Sequence, residues 1–176
     1  MNIKSFTFNP FQENTYIVYD KTKECLIIDP GCYTDVERKE LKAFIEEKEL
    51  TPVKLINTHC HIDHVLGNKF ASEQWDIQLY MHKEDLPVLE KAGEISKMYE
   101  LENYEGSPYP KHLLAQGDTL TFGESSFEIL FTPGHAPGHI CLYSKENNLL
   151  IAGDVIFQRS IGRTDLPGGD HSTLIN

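Results

Sequence analysis

Long apolar runs are missing from this sequence. No stretch approaches the ~18 consecutive apolar residues that a membrane-crossing helix needs, so no membrane partner is expected. The opening segment, Met1 to Asp20, has a single lysine and no continuous apolar core, unlike a secretory signal, and a cytoplasmic location is expected. Cysteine is scarce: Cys25, Cys32, Cys60 and Cys141 form no C-x-x-C pair, which predicts free thiols in a reducing compartment. Basic residues are few, 16 against 27 acidic ones, for a net charge of −11. Such a chain repels phosphate backbones, so nucleic acid is not an expected partner, and the surplus acid serves solubility. Neither a glycine period nor a sustained heptad is present, which excludes collagen and coiled coil. What is there, 176 residues with 40% hydrophobic and 24% charged, is the composition of one globular domain, taken as residues 1–176.

Strand and helix signals alternate along it. Ile3 to Phe8, Thr15 to Tyr19 and Cys25 to Ile28 are short β-rich runs. A helix is expected from Asp35, with Leu41, Phe44 and Ile45 on one face, closed at Thr51-Pro52. Val53 to Ile56 reads as a buried strand, Val65 to Trp75 as a helix, Leu79 to Met81 as a strand and Lys83 to Glu102 as a helix without evident chemistry. Thr119 to Phe122 with Phe127 to Phe131, and Ile140 to Tyr143 with Leu149 to Ile151, read as two hairpins. The order suggests an α/β sandwich more than a parallel doubly wound sheet.

The chemistry concentrates after the strand Val53 to Ile56, in Thr58-His59-Cys60-His61-Ile62-Asp63-His64. In extended chain, side chains two apart point the same way, so His59 and His61 share a side and Cys60 points away. Two such imidazoles begin a tetrahedral zinc-type site. Asp63 and His64 arrive as the chain turns into a helix and can serve a neighbouring position, where a carboxylate holds a metal or accepts a proton. Two histidines do not saturate a metal. His135, in Thr132-Pro133-Gly134-His135, and Asp154, in Gly153-Asp154, each follow an apolar strand, where ligands gather at one rim of a sheet.

His59-x-His61-x-Asp63-His64, then His135, then Asp154, resembles the metallo-β-lactamase superfamily. The tail Ser160-Ile161-Gly162-Arg163-Thr164-Asp165-Leu166-Pro167-Gly168-Gly169-Asp170-His171 resembles the short bacterial glyoxalase II-like (hydroxyacylglutathione hydrolase-like) hydrolases, although persulfide dioxygenases share the Gly162-Arg163-Thr164-Asp165 stretch. The resemblance implies a four-layer αββα sandwich with a dinuclear metal centre at one edge. By it, His59, His61 and His135 hold one metal, Asp63 and His64 the second, and Asp154 bridges. It also implies a further histidine some tens of residues beyond Asp154. His171, 17 residues on, occupies a different motif position, so the reading expects a C-terminally truncated domain without its last strand and helix elements.

The expected activity is hydrolysis of a small-molecule thioester such as S-lactoylglutathione by a hydroxide shared between two zinc ions, with iron or manganese as alternatives and Asp63 as the proton acceptor. Arg163, and less so Arg159, are candidate cations for an anionic substrate; the competing reading of Arg163 is a salt bridge to a neighbouring carboxylate. Two rival functions are a mononuclear iron persulfide dioxygenase and a metal-binding scaffold with an incomplete second site. β-Lactam hydrolysis is set aside because those enzymes are usually exported. Plain roles are expected elsewhere: His82 and His112 as surface histidines, His139 as a strand-start residue, with a supporting role beside His135 left open, and Asp29 as a turn former, with a supporting contact to the metal loop left open.

Overall fold

The computed structural model describes residues 1–176. The chain begins with three strands in a meander, β1 (Asn2–Phe8), β2 (Glu13–Tyr19) and β3 (Glu24–Ile28). Helix α1 (Asp35–Glu47) starts at a capping box in which Thr34 and Glu37 satisfy each other's backbone amides. It leads to β4 (Thr51–Ile56), a one-turn α2 (Ile62–Val65), α3 (Asn68–Trp75) and β5 (Leu79–His82). A 3-10 turn at Lys83–Asp85 opens α4 (Leu86–Met98), which precedes β6 (His112–Leu114). Two hairpins follow, β7 (Thr119–Phe122) with β8 (Ser125–Phe131) and β9 (Ile140–Ser144) with β10 (Leu149–Ile151). A small ribbon, β11 (Ile156–Phe157) and β12 (Ser160–Ile161), and the short α5 (His171–Ile175) end the chain.

Two sheets form. The first runs β1-β2-β3-β4-β5-β6, antiparallel as far as β3 and parallel from β3 to β6; the second runs β10-β9-β8-β7 and is antiparallel throughout. Alternation along β3 explains the layering. Cys25 and Ile27 face the helices, in a core with Leu41, Ile45, Ala71 and Ala92, while Leu26 and Ile28 face the second sheet, in a core with Phe127, Ile129 and Leu142. The expected α, β and β layers are therefore present, and the outer face of the second sheet, at Ser126, Glu128 and Leu150, is exposed. No helix is long and apolar enough to cross a membrane.

Two helices differ from expectation. Val65 to Trp75 is not one helix: it breaks at Leu66-Gly67, because the Gly67 amide turns to the Pro30 carbonyl at 2.7 Å and the Cys32 side chain occupies the space a Cβ would need. Lys83 to Glu102 is also divided, since the 3-10 turn sends Asp85 into the interior and α4 stops at Met98. Strands β6, β11 and β12, two or three residues each, carry too little periodicity to be read from sequence.

Candidate metal centre

Strand β4 delivers Asn57 to His61 to the rim of the first sheet, and three tertiary hydrogen bonds at Thr58 hold that segment. Asp29, at the end of β3, accepts from the Thr58 amide at 2.7 Å and from its hydroxyl at 2.5 Å. The Ile140 amide, where β9 begins, donates to the Thr58 carbonyl at 2.9 Å. Asp29 does occupy a turn, with φ of 48°, but it also grips the metal loop, so the open reading of a supporting contact is realised. Cys60 points away from its neighbours, as expected, and packs its sulfur 3.7 Å from that of Met81.

The structure brings His59, His61 and His135 together. His135 Nε2 lies 2.9 Å from His61 Nδ1 and 3.2 Å from His59 Nε2. The outward nitrogens determine which atoms present lone pairs. His135 Nδ1 faces the Arg163 carbonyl at 2.8 Å, and a carbonyl only accepts, so this nitrogen carries the proton and Nε2 is free to coordinate. Thr58 Oγ1 donates to Asp29 and therefore accepts from His59 Nδ1 at 3.2 Å, which leaves His59 Nε2 facing inward unprotonated. Burial, followed by the crowding of His64 and His61, pushes the proton affinity of His59 well below the ordinary value. Burial and His135 bring the pKa of His61 down to about 3. Neutral imidazoles with converging lone pairs are what a cation requires. A tetrahedral ion with metal–nitrogen bonds of ~2.0–2.1 Å sets its donors about 3.3 Å apart, close to the spacings found.

A second group adjoins the first. His64 Nε2 lies 3.5 Å from Asp63 Oδ2 and 3.4 Å from Asp154 Oδ1, while Asp154 Oδ2 lies 3.6 Å from His135 Nε2. Asp154 thus turns one oxygen to each group, the geometry of a bridging carboxylate. Burial opposes a charge on His64, but Asp63, Asp154 and Asp29 outweigh it and raise its proton affinity well above the ordinary value. Asp154 is likewise opposed by burial and is held ionised by His64 and then His135. His64 Nδ1 and Glu13 Oε1, 3.9 Å apart, are buried without an aligned hydrogen-bond partner, although Asp29 Oδ2 approaches the former at 3.2 Å. The donor set of three histidines, then aspartate, histidine and a shared aspartate, suits borderline cations such as zinc, iron or manganese.

Two supporting residues, Asp85 and Glu13, escaped the sequence reading, and a third, His139, realises the supporting role that it left open. Asp85, fully buried, accepts from the Cys60 amide at 2.6 Å and the Gly138 amide at 2.5 Å, joining the two ligand-bearing loops; burial lifts its pKa to about 6. His139 does precede β9, yet it is fully buried, stacks on His59 with ring centres 4.9 Å apart, and accepts from the Asp154 amide at 3.1 Å. Glu13 packs beneath His64, where burial raises its pKa well above the ordinary value. Their partners lie far away in sequence, so no local pattern marks them.

The remaining candidates fall as follows. Of the two readings of Arg163, the structure shows the salt bridge: the guanidinium pairs with Asp165 through two 2.7 Å hydrogen bonds, and the Arg163 carbonyl faces His135 Nδ1. Arg159 is exposed in the β11–β12 turn, outside the cavity lining. His82 is buried, not superficial, and stacks on Phe131 at 4.2 Å; His112 is exposed as expected. His171 is exposed at the start of α5.

A cavity of about 190 Å³ opens beside the second group, lined by Phe11, Asp63, His64, Asp154, Ile156 and Phe157 among others. With this fold and rim in view, the chain belongs to the metallo-beta-lactamase superfamily, whose sequence pattern matches residues 8–176. It is 38% identical to the probable metallo-hydrolase YqgX of Bacillus subtilis, over 99% of this chain and 81% of that protein. It is 34% identical to the hydroxyacylglutathione hydrolase GloC of Haemophilus influenzae, over 100% of this chain and 82% of that protein. Among solved structures, TTHA1623 in a di-iron-bound form superposes with a TM-score of 0.86 at 35% identity, covering 98% of this chain and 82% of that one.

Proposed function

We propose that this metallo-hydrolase cleaves a small-molecule thioester such as S-lactoylglutathione. The carrying observation is Asp154, whose two oxygens face the trio His59, His61 and His135 on one side and the pair Asp63 and His64 on the other. The identity to hydroxyacylglutathione hydrolase GloC supports the substrate class. Metal ions bound there, zinc first among the candidates, supply Lewis acidity and lower the pKa of water from ~15.7 towards ~7.

The chain's own residues do the rest. His59, His61 and His135 offer ring nitrogens to one ion, and the contacts through Thr58 and the Arg163 carbonyl fix two of those rings. Asp63 and His64 offer a second set, shared through Asp154. Asp63 is about one-fifth exposed on the cavity wall and is the group placed to orient water and take its proton. Asp85 and His139 act at one remove, on backbone amides of the ligand loops.

Steady-state hydrolysis of S-lactoylglutathione by metal-loaded protein tests this. Turnover that disappears on chelation and in Asp63→Ala is expected; a rate no higher than that of the metal-free control contradicts it. A second reading, one iron held by His59, His61 and His135 for oxidation of a persulfide, draws on the closeness of that trio. Oxygen uptake with glutathione persulfide, absent under the first reading, separates the two, and a protein that binds metal but turns over neither substrate is a scaffold.

A further inference from the structure

The cavity beside Asp63, His64 and Asp154 has a polar floor and an apolar rim. Phe11, from the β1–β2 turn, and Ile156 and Phe157, from β11, are 41%, 58% and 42% exposed. A single exposed apolar side chain is ordinary, but three converging on one cavity mark a contact surface for apolar matter. Glu13 and Asp29 also line the cavity, and no lysine or arginine does. The nearby Arg163 guanidinium is closed on Asp165. The wall therefore offers an anionic group no lysine or arginine, whereas an uncharged apolar group removes aromatic and aliphatic surface from water. Size points the same way, because a cavity of ~150 Å³ accommodates benzene and this one measures about 190 Å³.

Building on the thioesterase reading, we propose that this cavity is an acyl subsite selecting an uncharged, apolar acyl group of about phenylacetyl size, with Phe11, Ile156 and Phe157 as its specificity-determining residues. Hydrolysis adds one water across the C–S bond: the hydroxyl goes to the acyl carbon, the proton to the thiolate, and a carboxylic acid and a thiol leave. The acyl group rests against the rim while its carbonyl lies over Asp63 and Asp154; the thiol portion extends outward and makes no anion contact in the cavity.

The test compares phenylacetyl and lactoyl thioesters of one uncharged thiol, N-acetylcysteamine, on the metal-loaded chain, for the wild type and Phe157→Ser. Calorimetric titration of the metal-free chain with the non-hydrolysable S-phenethyl thioether of that thiol runs alongside. A kcat/KM for phenylacetyl about tenfold above lactoyl, with the ratio falling towards one in F157S, is expected for a lost apolar wall. Equal or faster lactoyl cleavage overturns the subsite while leaving the thioesterase reading in place. If neither ester is cleaved above the metal-free control, the thioesterase reading fails, and the titration alone decides the subsite: saturable binding weakened in F157S supports it, and no binding overturns it.

Discussion

His135 and Arg163 are joined at 2.8 Å through the imidazole Nδ1 and a main-chain carbonyl, so Arg163 touches the candidate metal centre through its backbone. The guanidinium is occupied by Asp165 in an exposed pair. Arg163→Ala keeps the carbonyl. Zinc affinity measured by chelator competition is therefore expected to stay within about twofold of wild type, as the loss of an exposed pair has little effect. A drop of tenfold or more would restore the side chain to the site.

Asp85 ties the loop carrying His59 and His61 to the loop carrying His135. Asp85→Ala leaves two buried amides unpaired, each costing about 1–3 kcal/mol. Metal affinity should also fall by ~10–100-fold, as when supporting residues of a metal site are removed. Asp85→Asn retains one carbonyl acceptor and should lie between. Denaturant melts and competition with a zinc chelator read the two effects separately, and an unchanged affinity in D85A would show that the loops hold their spacing without the carboxylate.

His139 holds Asp154 by its amide, with Thr132 Oγ1 against the other ring nitrogen at 3.0 Å. In His139→Ala the Asp154 amide loses this anchor while every candidate ligand side chain remains. The expected outcome is about tenfold weaker retention of bound metal on dialysis, and wild-type retention would reduce His139 to packing.

Asp20 links the β2–β3 turn to the β7–β8 hairpin, accepting from Thr22, the Glu124 amide and the Ser125 hydroxyl. Burial opposes its charge, but these donors win and bring the pKa down to about 2. Because the folded-state value is depressed, its contribution is fully present above the unfolded value of ~3.9 and is lost as pH falls through about 2. Asp20→Asn should lower stability at pH 7 by about 2 kcal/mol and flatten the decline between roughly pH 4 and 2. Denaturant unfolding across that range measures both, and parallel curves for the two proteins would remove Asp20 from the acid response.

How far the site could be read from sequence depended on distance along the chain. His59, His61, Asp63 and His64 are contiguous, so strand alternation followed by a turn was enough to group them, and His135 and Asp154 carried the common signature of a strand end. Asp85 was passed over inside a stretch taken for plain helix, because its acceptor role exists only once Cys60 and Gly138, 25 and 53 residues away, fold against it. Arg163 carried two open readings, a substrate cation or a salt bridge to a neighbouring carboxylate, and the pair with Asp165 two residues off realises the second. The helix break at Gly67 and the burial of His82 depend on Pro30 and Phe131, which no local period reveals. Fold class was legible because apolar alternation repeats in most strands, whereas β6, β11 and β12 are too short to show it.

The central claim is that six side chains, His59, His61, Asp63, His64, His135 and Asp154, form one metal centre. Equilibrium dialysis against zinc, with metal per chain determined by elemental analysis, tests it most directly. About two ions per wild-type chain are expected for a two-metal site, with tight binding lost in His135→Ala and reduced in Asp154→Ala, and circular dichroism confirming the fold of each variant. Wild-type protein that retains no zinc, iron or manganese, or folded variants that retain as much as wild type, would contradict it.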